Sequence, residues 1–248
     1  MEKKHNIKTI TQMIKSLTKE DKHWFPDVAD YVNNQMGGSA KGWAFEASLF
    51  SVSETNCLPV SRSDATCPNA DLFFNFYLET VPVQAKAYSI TGPSSKIQAA
   101  TMAKTNFFSK SKNFFSDENN FDGKAYAKFL DNLDIPIDII LTSSQSDKTS
   151  RLYCIDFVPL FKKATRIEWS GKKKSSINIY MLDKSGKEKM AFTLGSEKSS
   201  NKNCFARGIW MQDWVLEENF KPIVTTKYND NLELFSLFRI GKSQQNKN

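Results

Sequence analysis

The pattern of apolar residues predicts an α/β fold: a mixed central β-sheet flanked by helices, with a C-terminal β-rich extension. Three observations carry this. Ile7, Ile10, Ile14 and Leu17 recur at helical spacing near the start of the chain. Residues 71–79 (DLFFNFYLE) and 81–88 (VPVQAKAY) are short runs rich in β-favouring side chains. Residues 135–141 (IPIDIIL) form the most apolar run, the mark of a buried strand.

The elements follow in order. Residues 7–17 predict one helix. Lys19 to Pro26 breaks the pattern, and Asp27 to Met36 predicts a second helix ended by Gly37-Gly38-Ser39. Lys41 to Phe50 predicts a third, with Phe45, Leu49, Ala44 and Ser48 on one face and Glu46 alongside. Residues 53–69, with Pro59 and Pro68 among Ser, Thr and Asn, read as an irregular connection. The runs 71–79 and 81–88 predict an antiparallel pair turning at Glu79-Thr80. Residues 89–94 read as a loop, and Ser95 to Phe115 as a long helix capped by Ser94 or Ser95. Lys124 to Leu133 predicts a helix, residues 135–141 and 152–156 strands, and 158–164 a short helix. Residues 176–194 predict a hairpin turning at Lys184-Ser185-Gly186-Lys187. Trp210 and Trp214 read as core residues, and residues 240–248 as a frayed tail.

The chain has 248 residues, 40% hydrophobic and 25% charged, enough for one large domain with its own core. The expected organisation is a single domain over 1–248. It comprises an N-terminal helical region (1–40), a core (41–165) and a β-rich region (166–248) for recognition or dimerisation. Lys+Arg number 34 against 27 Asp+Glu, a net charge of +7 that favours polyanionic partners. Only two histidines occur, His5 and His23, which argues against His-based metal centres and Ser-His-Asp or Cys-His catalysis. The cysteines, Cys57, Cys67, Cys154 and Cys204, form no C-x-x-C pair, which removes zinc-finger spacing. Cys57 and Cys67 flank a loop and are close enough in sequence to pair, but reduced thiols are the simpler reading. No apolar run approaches the roughly 20 residues of a bilayer span. The opening residues lack a signal-peptide pattern, so no membrane association and a cytoplasmic location are expected.

Glu46, Asp71, Gln84 and Lys86 form the candidate site. Gln84 and Lys86 are two apart on one strand and share a side. In an antiparallel pair the start of the first strand lies near the later part of the second. Asp71 and Gln84 then offer two oxygens to Mg²⁺, a cation that prefers hard oxygen ligands. Lys86 stands on the same face to orient or deprotonate a water, or to meet charge on a phosphate. Glu46 completes the acidic set from the preceding helix. The short element [DEQ]-x-K recurs, for example at Glu2-Lys3-Lys4, Glu20-Asp21-Lys22 and Asp122-Gly123-Lys124. Those copies lack an aspartate-led strand before them. Asp64 is the runner-up acid to Asp71.

This conjunction resembles the PD-(D/E)XK nuclease superfamily over residues 41–90, and more loosely to about 165. The family's helix glutamate matches Glu46 in GWAFE, its hairpin aspartate Asp71 in NADLFF, and its (D/E)-x-K element Gln84-Ala85-Lys86. Ala70 stands where a proline is frequent, and Gln84 replaces an acid. The amide oxygen can ligate a metal but brings no negative charge. The resemblance implies a restriction-endonuclease-like fold. It makes Glu46, Asp71, Gln84 and Lys86 catalytic, with Mg²⁺ on Asp71, Gln84 and Glu46. It also implies a Mg²⁺-dependent DNA endonuclease, a type II restriction enzyme acting on double-stranded DNA as a homodimer. A repair or recombination nuclease, a nuclease toxin and a non-catalytic DNA-binding protein are the alternatives. Lys96, Lys104, Lys110, Lys112, Lys172–Lys174, Arg62 and Arg207 are candidate phosphate contacts.

Overall fold

The computed structural model describes residues 2–36, 38–63, 70–91, 95–100, 115–117, 120–132, 135–144, 146–170, 176–196 and 206–227. Asp64, Lys104, Lys110, Lys112, Lys172–Lys174, Cys67, Cys204 and the 240–248 tail lie outside these residues.

Three N-terminal helices, α1 (Glu2–Ser16), α2 (Lys19–Met36) and α3 (Gly38–Thr55), open the fold. Ile10, Ile14 and Leu17 are buried, as the helical spacing of the first segment requires. α2 corrects the sequence reading, because it begins at Lys19 and continues through Pro26. Two features outweigh the hydrogen bond that Pro26 cannot donate. Thr18 Oγ1 accepts from the Asp21 N–H at 3.1 Å and donates to Asp21 Oδ2 at 2.8 Å, which caps the helix start. Phe25 and Ala29 on either side of the proline are fully buried, and the Phe25 ring meets Phe45 of α3 edge-on at 6.3 Å. Gly38 starts α3, where the sequence reading placed a helix stop.

Strand β1 (Val60–Arg62) follows, so residues 53–69 are only partly irregular, a second correction. Then come β2 (Leu72–Asn75) and β3 (Thr80–Ile90), antiparallel with Leu72 opposite Val83. The turn occupies residues 76–79, so β2 ends at Asn75 and not at Glu79 as the sequence reading had it, because Asn75 already pairs with Thr80. Residues 96–100 are strand β4 (Lys96–Ala100), which corrects the expected 95–115 helix at its start; residues 101–114 lie outside the described residues. Ile97 and Ala99 are buried on alternate positions, a period of two that the polar run around them obscures.

Two short strands, β5 (Phe115–Asp117) and β6 (Asn120–Phe121), precede α4 (Gly123–Asp131). Asp122 caps α4 by accepting from the N–H groups of Lys124 and Ala125. Strands β7 (Ile137–Ser144) and β8 (Thr149–Ile155) lead to a 3₁₀ turn, Val158–Lys163. The last part holds β9 (Ala164–Ser170), β10 (Ser176–Leu182), β11 (Glu188–Ser196), β12 (Ala206–Gln212), α5 (Asp213–Asn219) and β13 (Val224–Lys227).

The strands form a six-stranded sheet, ordered β1-β2-β3-β7-β8-β13, and a five-stranded sheet, ordered β4-β12-β11-β10-β9. The first is mixed: β3 and β7 run parallel with Gln84 beside Asp138, while its other pairs are antiparallel. Odd-numbered Val83, Ala85 and Ala87 face α1–α3 across one core. Even-numbered Tyr88 and Ile90 face α4, the 3₁₀ turn and the five-stranded sheet across the other. The mixed α/β architecture with flanking helices is therefore that of the sequence reading. Among the described residues, no helix is long and apolar enough to cross a membrane.

Candidate functional site

β3 outruns its neighbour. Its pairing with β2 covers Thr80–Val83, whereas its pairing with β7 covers Val83–Ile90. Among the described residues no strand continues that edge of β3 beyond Val83, so side chains of both faces reach one cleft there. This cleft, about 220 Å³, is lined by Gly42, Trp43, Glu46, Asp71, Ala85, Lys86, Ala87 and Tyr88.

Asp71 precedes β2 and ties its start to β3. Its N–H donates to Val83 O at 2.9 Å, and its Oδ2 accepts from the Ala85 N–H at 2.8 Å. The same oxygen meets Lys86 Nζ at 3.4 Å. The carboxylate thus replaces the missing strand partner of Ala85 and anchors the ammonium beside it. Glu46 comes from α3, whose Phe45, Leu49 and Val52 pin the helix to the sheet. Burial and the neighbouring charge of Asp71 push the Glu46 carboxyl above its usual range, while Arg62 and Lys86 draw it back. Arg62 itself lies over the Phe50 ring at 4.5 Å.

Gln84 does not line the cleft. It is 3% exposed, beneath the floor, with its Oε1 unpartnered among the described residues. Next to it in parallel register is Asp138, 1% exposed, with both carboxylate oxygens unpartnered among the described residues. Burial pushes the Asp138 carboxyl well above the usual range, and the charges of Lys86 and then Lys3 oppose this. The structure therefore brings Glu46, Asp71 and Lys86 together around the opening and sets Gln84 below it. Among the described residues, no three His, Cys, Asp or Glu side chains converge as a ready-made metal cluster. The donor set is nonetheless of hard oxygens, and like-charged Glu46 and Asp71 beside one cleft suit a cation between them.

Asp138 and Trp43 were missed by sequence reasoning. An acid inside the otherwise apolar IPIDIIL run was the available signal for Asp138, since a charge in a central strand requires a partner. Trp43 is 81% exposed at the rim, and nothing in its flanking residues marks it. A second polar cluster lies elsewhere: buried Lys41 donates to Asp30 at 2.5 Å, and Ser150 donates to Asp30 at 2.7 Å. It stitches α2, α3 and β8 together. Burial depresses the lysine, and Asp30 opposes that.

A larger cavity of about 740 Å³ opens where β3 and β7 begin. Its Lys3, Lys4 and Lys162 are balanced by Glu79, Asp131 and Asp156, with Lys3 and Asp156 3.7 Å apart. That lining carries no net charge, whereas Glu46 and Asp71 outnumber Lys86 at the small cleft.

Of the candidate phosphate contacts, Lys96 lies on β4, not on a helix, and reaches Thr193 Oγ1 at 3.4 Å. Trp210 lies on β12, and Trp214 on α5 donates its indole N–H to Met190 O at 2.9 Å. Cys57 and Cys154 are free thiols. No protein-family model, curated protein or solved structure matches this chain.

Proposed function

We propose that the chain is a Mg²⁺-dependent DNA endonuclease of the PD-(D/E)XK kind, and more narrowly a sequence-specific type II restriction enzyme. One observation carries this reading: the Asp71 carboxylate accepts from both the Ala85 N–H and the Lys86 ammonium at a cleft that Glu46 borders. An acid, a lysine and a second acid on a strand-edge cleft suit phosphodiester hydrolysis without histidine.

Asp71 and Glu46 are the carboxylates that would hold Mg²⁺, with the Gln84 amide oxygen behind them. Bound there, Mg²⁺ would acidify a water and offset charge on the phosphate. Lys86, held by Asp71, positions the attacking water and meets charge developing on the phosphate oxygens. The net charge of +7 draws the polyanion to the surface. A two-fold homodimer would cut both strands of a palindromic site in double-stranded DNA.

The test is incubation of long DNA with Mg²⁺ and, separately, with EDTA, followed by mapping of the ends. Discrete bands with Mg²⁺ alone support a restriction enzyme. Smearing supports a non-specific nuclease of the same site. Intact DNA in every divalent metal, with binding retained in EDTA, overturns the nuclease reading and leaves a DNA-binding protein.

A further inference from the structure

We propose that Asp138 is the carboxylate that position 84 lacks, and that Asp138 and Gln84 together form the buried half of a divalent-cation site beneath the cleft. The inference rests on the reading of that cleft as a metal-dependent site, and its test needs no DNA.

The geometry comes from register. Leu72 stands opposite Val83, so the next step outward sets Asp71 across from Gln84. Gln84 in turn pairs with Asp138 on β7. Directly opposed residues share a face of the sheet. Asp71, Gln84 and Asp138 therefore form a row across three adjacent strands, each strand about 4.8 Å from the next. Lys86 stands two residues further along the same face of β3.

Chemistry supplies the second argument. Gln84 Oε1 and both Asp138 oxygens are buried and find no partner among the described residues. All three are acceptors, so an ionised Asp138 cannot satisfy Gln84 Oε1, nor can that oxygen satisfy it. Leaving such groups unmet inside a protein is costly, and native structures rarely do so. A hard divalent cation takes carboxylate and amide oxygens together. A proton shared between the two side chains is the rival explanation.

Calorimetry of Mn²⁺ and Mg²⁺ binding to the full chain, without DNA, separates the two. The Asp138→Asn variant keeps the shape and removes the charge. Its Mn²⁺ affinity should fall by roughly tenfold or more, the scale on which the loss of one group that supports a metal's ligands acts. The double variant Gln84→Glu/Asp138→Asn returns the charge from the neighbouring strand and should recover most of the affinity. Loss in the single variant with recovery in the double supports the proposal. Wild-type affinity in Asp138→Asn, or a loss that Glu at position 84 fails to recover, overturns it. A wild-type chain that binds neither ion overturns it together with the metal-dependent nuclease reading. A wild-type chain that binds and cuts while Asp138→Asn binds equally well overturns this inference alone.

Discussion

The β2–β3 and β10–β11 hairpins use the same period-two pattern to opposite ends. In β10, Ile177, Ile179 and Met181 are buried, while Asn178, Tyr180 and Leu182 between them face outward or half-outward. Its polar groups are matched. Thr193 donates to Asn178 at 3.1 Å, Tyr180 donates to Glu168 at 2.5 Å, and Arg166 meets Glu188 at 2.9 Å. Asp183 Oδ1 accepts from the N–H groups of Ser185 and Lys187, and Gly186 takes the positive φ of the turn. In β3 the inward face instead carries Gln84 with an unmet oxygen, beside the unmet Asp138 on β7. A hairpin whose polar side chains find such partners contributes stability. Unmet groups at the centre of a sheet cost stability, and a site is the usual reason for carrying them.

Exchanging single residues tests this contrast. The largest effect should come from Lys86→Ala. It removes the group that positions the water and meets phosphate charge, so Mg²⁺-dependent cleavage should fall by roughly 10²–10⁴-fold. DNA binding should be nearly unchanged, because Lys86 is one cation among many. Cleavage rates paired with binding titrations read this out, and full activity in the variant removes Lys86 from the mechanism. The mirror-image change is Ile179→Ala in β10. A fully buried isoleucine is lost to a cavity, which should destabilise the protein by about 2–5 kcal/mol in urea unfolding. The cleavage rate per folded molecule should stay at the wild-type value. A comparable fall in that rate would mean that the two hairpins are not energetically separate.

Asp183→Ala should have a smaller effect. It strips the acceptor from the turn and the partner from Lys189, 2.6 Å away. The hydrogen bonds and the ion pair hold the Asp183 carboxyl well below its usual range. A carboxylate with a lowered folded-state value stabilises the fold above its unfolded value near 4, and that contribution is lost as pH falls through the folded value. The variant should therefore be less stable than wild type at pH 7 and nearly equal to it at strongly acid pH. Urea midpoints at both pH values measure the difference. Equal midpoints at pH 7 would mean that the turn needs no side-chain acceptor.

The same contrast governed what the sequence revealed. The β10–β11 hairpin was legible almost to the residue, because Gly186 marks the turn and Ile177, Ile179 and Met181 alternate with polar or outward-facing residues along β10. The approach of Asp71 to Lys86 was legible in outline, because an antiparallel pair brings the start of its first strand near the later part of its second, although the observed register, with Leu72 opposite Val83, differs from that of a turn at Glu79-Thr80. Three features were not. Pro26 suggested a break that the Thr18 cap and the burial of Phe25 override, which is tertiary packing outweighing local propensity. Lys96–Ala100 looked helical because its pairing partner, β12, lies more than a hundred residues away in sequence. Gln84 looked like a cleft residue because its spacing from Lys86 fixes its face but not its depth. Depth depends on β7, which lays Asp138 beside it.

The smallest expected effect is a change of slope with pH on the α1–α3 side. Asp27 on α2 is raised to about 7, by burial first and then by the charge of Asp30, and its Oδ1 has no partner. An acid raised in the folded state behaves oppositely to Asp183. Its folded form holds the proton more tightly than the unfolded chain, whose aspartates titrate near 4. The stability linked to it is complete below about 4 and is lost as pH rises through about 7. Asp27→Asn cannot ionise, so its urea midpoint should fall less than the wild-type midpoint between pH 4 and 7. The difference between the two proteins should vanish at the acid end. The raised carboxyls of Glu46, Asp138 and Asp156 remain in the variant and share the sign of Asp27, so the slope should shrink without disappearing. Parallel curves for variant and wild type would show that Asp27 ionises without cost.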